Sequence, residues 1–147
     1  MDYVGLGLHW NDLTVGQKFR TINRTITEAD LVNFINATGM VEMIFTDATY
    51  AGQGAIQGSR PVPGALAYCF SEGLLVQSTM QHTGLAMLET TLKILGPTNV
   101  NDTIHVEVEV ADFVNYLNWI SVLFQSDGFC TSGFGDKPCA SQEKQEK

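Results

Sequence analysis

"RPVPGALAYCFSEGLLVQSTM", residues Arg60 to Met80, is the stretch whose reading decides the architecture. Pro63 and Gly64 precede a segment that is apolar nearly all round from Ala65 to Val76. A helix apolar on every side is expected to be buried on every side. One such helix in a small domain needs a sheet to wrap it. Cys69, inside this segment, is expected to be a small buried hydrophobe rather than a nucleophile.

The sheet should come from the second half of the chain. "DTIHVEVEV" (Asp102 to Val110) alternates strictly, with Ile104, Val106, Val108 and Val110 on one face and His105, Glu107 and Glu109 on the other. "LETTLKIL" (Leu88 to Leu95) and "NWISVLFQ" (Asn118 to Gln125) also read as strands, and Ser126-Asp127-Gly128 as a hairpin turn into "FCTSGF".

Upstream, "DLTVGQKF" (Asp12 to Phe19) leads into an extended "RTINRTI", and Thr27 opens a helix. Thr27-Glu28-Ala29-Asp30 is a capping-box pattern with Asp in place of Glu. Leu31, Phe34 and Ile35 form its apolar stripe, and Gly39 is its expected stop. A long loop follows, "NATGMVEMIFTDATYAGQG" (Asn36 to Gly54), whose middle is apolar around the single carboxylate of Glu42. Loops are usually polar because they run over the surface. This one reads like core instead. The fold class is therefore α+β, an antiparallel sheet wrapped around one central helix.

The whole chain of 147 residues fits one domain, residues 1–134, followed by a polar tail over 135–147. The longest apolar segment is too short to span a bilayer, and the first residues lack the basic start and apolar stretch of a signal peptide. A cytoplasmic protein is expected, so the three N-x-T matches at Asn23, Asn36 and Asn101 carry no weight. Cys69, Cys130 and Cys139 show no metal spacing, and no cofactor is implied. The net charge of −8 argues against nucleic acid and against anionic membrane as partners. If the ligand is polyanionic, the cations to follow are Lys18, Arg20, Arg24, Arg60 and Lys93.

From about Trp10 to Asp112 the sequence resembles the MaoC-like (R)-specific enoyl-CoA hydratases, which have the hot-dog fold. The resemblance rests on "DLTVGQKF", "RTITEADLVNFINATG", "TDATYA", "GSRPVPGALAYCFSEGLL" and "NDTIHVEVEV" in that order, with Asn101 where the family usually has Gly. It implies a lyase that adds water to, or removes it from, an acyl thioester, through an Asp and a His that move protons. It also implies a backbone N–H at the start of the buried helix, here at Gly64, holding the enolate oxygen. Carried over position by position, Gly39 matches, but Met40 takes the Asp position and Phe45 the His position. Glu42 and Met43 stand where Asn and Pro are usual, and Thr46 and Asp47 rejoin the pattern. Pro63 stands where a His usually precedes the helix glycine. A thioether and a phenyl ring cannot shuttle protons, so the normal hydratase mechanism is not expected.

Glu42 is the one loop residue that could replace the lost base, but an acid turned to solvent or to a cation is the more economical reading. Asp47 is expected to bond backbone N–H groups around the loop. Glu72 on the central helix leaves open a thioesterase, whereas His9, His82 and His105 have no partner at a recognisable spacing. Met40, Phe45, Arg60, Pro63 and Ala65 are the expected substrate-binding residues, Arg60 for a phosphate or carboxylate. Three readings follow. The first is a protein that binds acyl thioesters of CoA or acyl carrier protein without hydratase chemistry, as a homodimer or paired with a catalytic hot-dog homologue. The second is a divergent hydratase or dehydratase using Glu42, and the third is a hot-dog thioesterase.

Overall fold

A computed structural model describes residues 2–50, 60–84, 90–116 and 119–125, with backbone only for 111–116 and 119–125. Three helices, α1 (Glu28–Thr38), α2 (Met43–Thr46) and α3 (Gly64–Thr79), combine with five strands. The strands are β1 (Lys18–Arg20), β2 (Arg24–Thr25), β3 (Thr103–Ile104), β4 (Glu107–Tyr116) and β5 (Trp119–Gln125). All pairings are antiparallel. β4 lies between β1 and β5, and β2 pairs with β3. The strand expected from "NWISVLFQ" is β5, and its register against β4 shifts between Val110 and Asp112.

The alternating stretch 102–110 behaves as expected in its faces but not in its continuity. Ile104, Val106, Val108 and Val110 are all buried. The ladder nevertheless breaks at His105 and Val106. There the Thr21 N–H donates to the Val106 carbonyl at 2.9 Å, and the Val106 N–H donates to Thr21 Oγ1, not to a carbonyl, at 2.9 Å. One threonine hydroxyl thus keeps a buried donor satisfied while the upstream strand kinks, which divides one extended chain between two pairings.

α1 follows its sequence signals closely. Thr27 Oγ1 accepts from the Asp30 N–H at 3.2 Å, and Asp30 Oδ2 accepts from the Thr27 N–H at 2.8 Å. Gly39 closes the helix at φ +72°, a left-handed conformation that costs other residues more. Asn101 also has a positive φ, +73°. Asn tolerates this region best after Gly, which accounts for its occupying a usual glycine position.

The core joins Leu31 and Ile35 of α1, Leu66 and Leu74 of α3, and Ile26, Val62, Val100, Ile104, Val106 and Val108. Fully burying one such aliphatic side chain stabilises by roughly 1.5–3 kcal/mol. α3 departs from the expectation of burial all round. Leu66, Ala67, Leu74 and Thr79 are buried, whereas Cys69, Gly73 and Val76 are exposed. Cys69 is therefore not the buried hydrophobe the sequence suggests. The stripe facing α1 and the sheet is covered, and the far side of the helix meets solvent in the single chain.

The strand expected at Leu88 to Leu95 is also corrected where it is described. Residues 90–95 belong to no strand, and Leu92, Ile94 and Leu95 are exposed. A short apolar run cannot by itself specify a partner for its backbone. The loop from Ala51 to Ser59, the Ser126-Asp127-Gly128 turn, Cys130, Cys139 and the tail over 135–147 lie outside the described residues. No helix among the described residues is long and apolar enough to cross a membrane.

Candidate active site

Immediately after Gly39 the chain turns back. The Val41 N–H donates to the Gly39 carbonyl at 2.8 Å, and Glu42 becomes the N-cap of the single-turn helix α2. Glu42 Oε2 accepts the Ile44 N–H at 2.9 Å, and the Glu42 carbonyl accepts from the Phe45 and Thr46 N–H groups. This is the role a capping carboxylate has at any helix start, where the first N–H groups lack intrahelical acceptors. Asp47 Oδ1 accepts from the Thr49 N–H at 2.8 Å and from its hydroxyl at 2.6 Å. These bonds hold the Asp47 carboxyl below its ordinary pKa. Asp47 is thus a turn-forming acid, as the sequence suggests.

The opposite wall comes from the entry into α3. The Val62 N–H donates to the Thr98 carbonyl and the Val100 N–H to the Arg60 carbonyl, which fixes residues 60–62 against 98–100. Pro63 then caps α3 with no side-chain acceptor for the helix donors. The Leu66 and Ala67 N–H groups bond back to the Pro63 carbonyl. The Gly64 and Ala65 N–H groups have no backbone acceptor among the described residues. The two walls enclose an open cleft of about 480 Å³, lined by Gly39, Met40, Val41, Glu42, Phe45, Pro63, Gly64 and Ala65. That size falls within the range of small-molecule sites.

Six of the seven sequence-derived site residues meet in this cleft: Met40, Glu42, Phe45, Pro63, Gly64 and Ala65. Arg60 stands apart. Its guanidinium bonds to Glu28 of α1, its side chain is only 15% exposed, and it does not line the cleft. Gly39 and Val41 are lining residues that the sequence reading did not name, although they flank Met40 in the chain. The apolar loop is also less enclosed than expected. Met40, Val41 and Met43 are 42%, 67% and 58% exposed, while Phe45 packs against the core.

Among the described residues, Glu42 is the only ionisable one in the lining. Glu72, half-buried on α3, is not part of it. None of the histidines lines it either. His9 caps a 3-10 turn over Trp10–Asp12, the His82 ring lies 6.0 Å from that of Tyr3, and His105 sits between Arg20 at 3.2 Å and Glu107 at 3.4 Å. The other cations are occupied as well. Lys18 pairs with Glu109 at 3.0 Å. Arg24 pairs with Asp30 at 3.1 Å and lies 3.6 Å over the Phe70 ring. Of the five cations singled out in the sequence, Lys93 alone has no acid or histidine partner among the described residues.

Solved structures with this architecture decide the fold. A MaoC-like dehydratase from Rhodospirillum rubrum superposes with a TM-score of 0.72 at 24% identity, over 86% of this chain and 87% of that one. An (R)-hydratase from Pseudomonas aeruginosa gives 0.65 at 26% identity, over 74% of this chain and 68% of that one. The chain has the hot-dog fold. A third hot-dog structure, an (R)-hydratase from A. caviae involved in PHA biosynthesis, gives 0.59 at 29% identity over 69% of this chain and 75% of that one. No family model matches the sequence, and no curated protein sequence is significantly similar to it. The hot-dog assignment therefore rests on the ordered motifs together with the three-dimensional likeness.

Proposed function

We propose that this hot-dog chain binds acyl thioesters, of CoA or of acyl carrier protein, in the cleft between α2 and the start of α3, without hydratase proton transfer. The observation that carries this reading is the composition of the cleft. Among the described residues its lining is apolar apart from Glu42, and that carboxylate already caps α2. The free Gly64 and Ala65 N–H groups at the start of a sixteen-residue helix are suited to a thioester carbonyl, since orphan donors and the helix dipole favour negative charge there. Met40 and Phe45 supply apolar contacts for the acyl group and can neither accept nor deliver a proton. Arg20, Arg24 and Arg60 are held in internal contacts, so the support for this reading lies at the acyl end of the ligand.

The similarity to (R)-hydratases supports the thioester class, and the open side of the cleft supports a second hot-dog chain as its cover. That cover is either another copy of this chain or a catalytic homologue. A divergent hydratase using Glu42 is the second reading, favoured only by the placement of that carboxylate in the lining. The thioesterase reading has less support, because Glu72 lies outside the cleft.

The test is crotonyl-CoA hydration followed by loss of the conjugated absorbance, alongside calorimetric binding. The wild type should bind without turnover, and Met40→Asp with Phe45→His should gain hydration. Turnover by the wild type that disappears in Glu42→Gln would instead establish the second reading.

A further inference from the structure

Gly64 borders two cavities. Besides the cleft, it lines a smaller space of about 90 Å³ with Val62, Ala67, Ile94, Gly96, Pro97 and Thr98. Against Gly64, on the side of the smaller space, lies the end of one side chain, Ile94, which is not part of the cleft lining. A Cβ placed on Gly64 would come within 2.5 Å of Ile94 Cδ1, so the isoleucine methyl occupies the room that a glycine leaves at the first turn of α3. Among the described residues other than its chain neighbours, no other side chain comes within 4 Å of that position.

The character of the two sides differs. Behind Ile94, the small cavity is floored by Val62, Ala67 and Thr98, all buried. Ile94 itself is 56% exposed and belongs to a segment outside any strand, between the exposed Leu92 and Leu95. It therefore packs on Gly64 from outside and is not part of the interlocked core. Shortening such a side chain opens space without removing a core contact, whereas shortening a core side chain leaves a destabilising void.

We propose that Ile94 determines how long an acyl group this site accepts, by closing the cleft from the cavity behind it at Gly64. The inference rests on the thioester reading above. An acyl chain whose carbonyl sits at the Gly64 and Ala65 N–H groups runs into the Ile94 δ-methyl. Without that methyl it continues over Ala67 toward Val62, Pro97 and Thr98. Each additional buried methylene then tightens binding by roughly fourfold.

Calorimetry with non-hydrolysable ketone analogues of acyl-CoA, in which a methylene replaces the thioester sulfur and the carbonyl is kept, with alkyl chains of four to twelve carbons, tests this in the full chain. In the wild type, affinity should rise with length and then level off. In Ile94→Ala the rise should continue for at least two more methylenes, roughly a tenfold gain or more at that length, with the butyl compound unchanged within about twofold. Binding with the same length profile in both proteins overturns the role of Ile94 and leaves the thioester reading standing. Absence of binding by every ketone analogue to either protein overturns both.

Discussion

The helix α1 and the loop that follows it are adjacent in sequence, similarly rich in apolar residues, and opposite in outcome. Leu31 and Ile35 of α1 are buried in the core, while Met40, Val41 and Met43, only a few residues later, are largely exposed. Each segment begins with an oxygen-bearing cap, Thr27 for α1 and Glu42 for α2. Capping starts a helix in both places. Only in α1 does the apolar period place a stripe in the core cluster that includes Leu66, Leu74 and Val108. The loop has one turn of helix and no such period, so its apolar side chains remain at the edge of a cleft. The contrast teaches that apolar content alone does not make core; it makes core where its spacing matches a partner surface.

The sharpest way to break this comparison is truncation on both sides of it. Leu31→Ala should lose about 2–5 kcal/mol of unfolding free energy by urea denaturation. Met43→Ala should lose no more than about 0.5 kcal/mol. Similar losses for the two would mean that the loop is as tightly packed as the helix.

The caps allow a finer comparison. Burial raises the pKa of Asp30, but the bonds from the Thr27 backbone and hydroxyl and the charge of Arg24 outweigh it and hold the carboxyl below 3.8. A depressed folded-state pKa stabilises fully above the unfolded value and is lost as pH falls through the folded value. Thr27→Ala should therefore cost about 1 kcal/mol at neutral pH. The difference from the wild type should shrink as pH falls below 3.8, which stability curves at successive pH values would measure.

The smallest effect belongs to the other cap. Glu42→Gln keeps an oxygen for the Ile44 N–H and should shift stability by less than about 1 kcal/mol. It should also leave ligand binding within about twofold of the wild type. A tenfold loss in calorimetric binding would place the Glu42 charge in the site's chemistry.

Much of the site was legible because its parts are local in sequence. The loop register from Gly39 to Asp47 and the Pro63-Gly64-Ala65 helix start each lie within a few residues, and the cleft brings these two stretches together. Arg60 was legible as a position but not as a contact. Its partner, Glu28, lies in a helix more than thirty residues away, and no spacing rule links the two. Ile94 gave no signal either, since "LKIL" reads as a strand and its relation to Gly64 depends on how that segment crosses α3.

The sequence by itself determined the caps and stop of α1, the buried face from Ile104 to Val110, and the helix opening at Gly64. These depend on hydrogen bonds within a few residues and on periodicity. Only the tertiary structure decided which stripe of α3 is covered, that Cys69 is exposed, where Thr21 breaks the strand, and that Ile94 lies over Gly64. Those outcomes come from surfaces meeting across long separations in the chain, where side-chain shape, not local propensity, selects the contact.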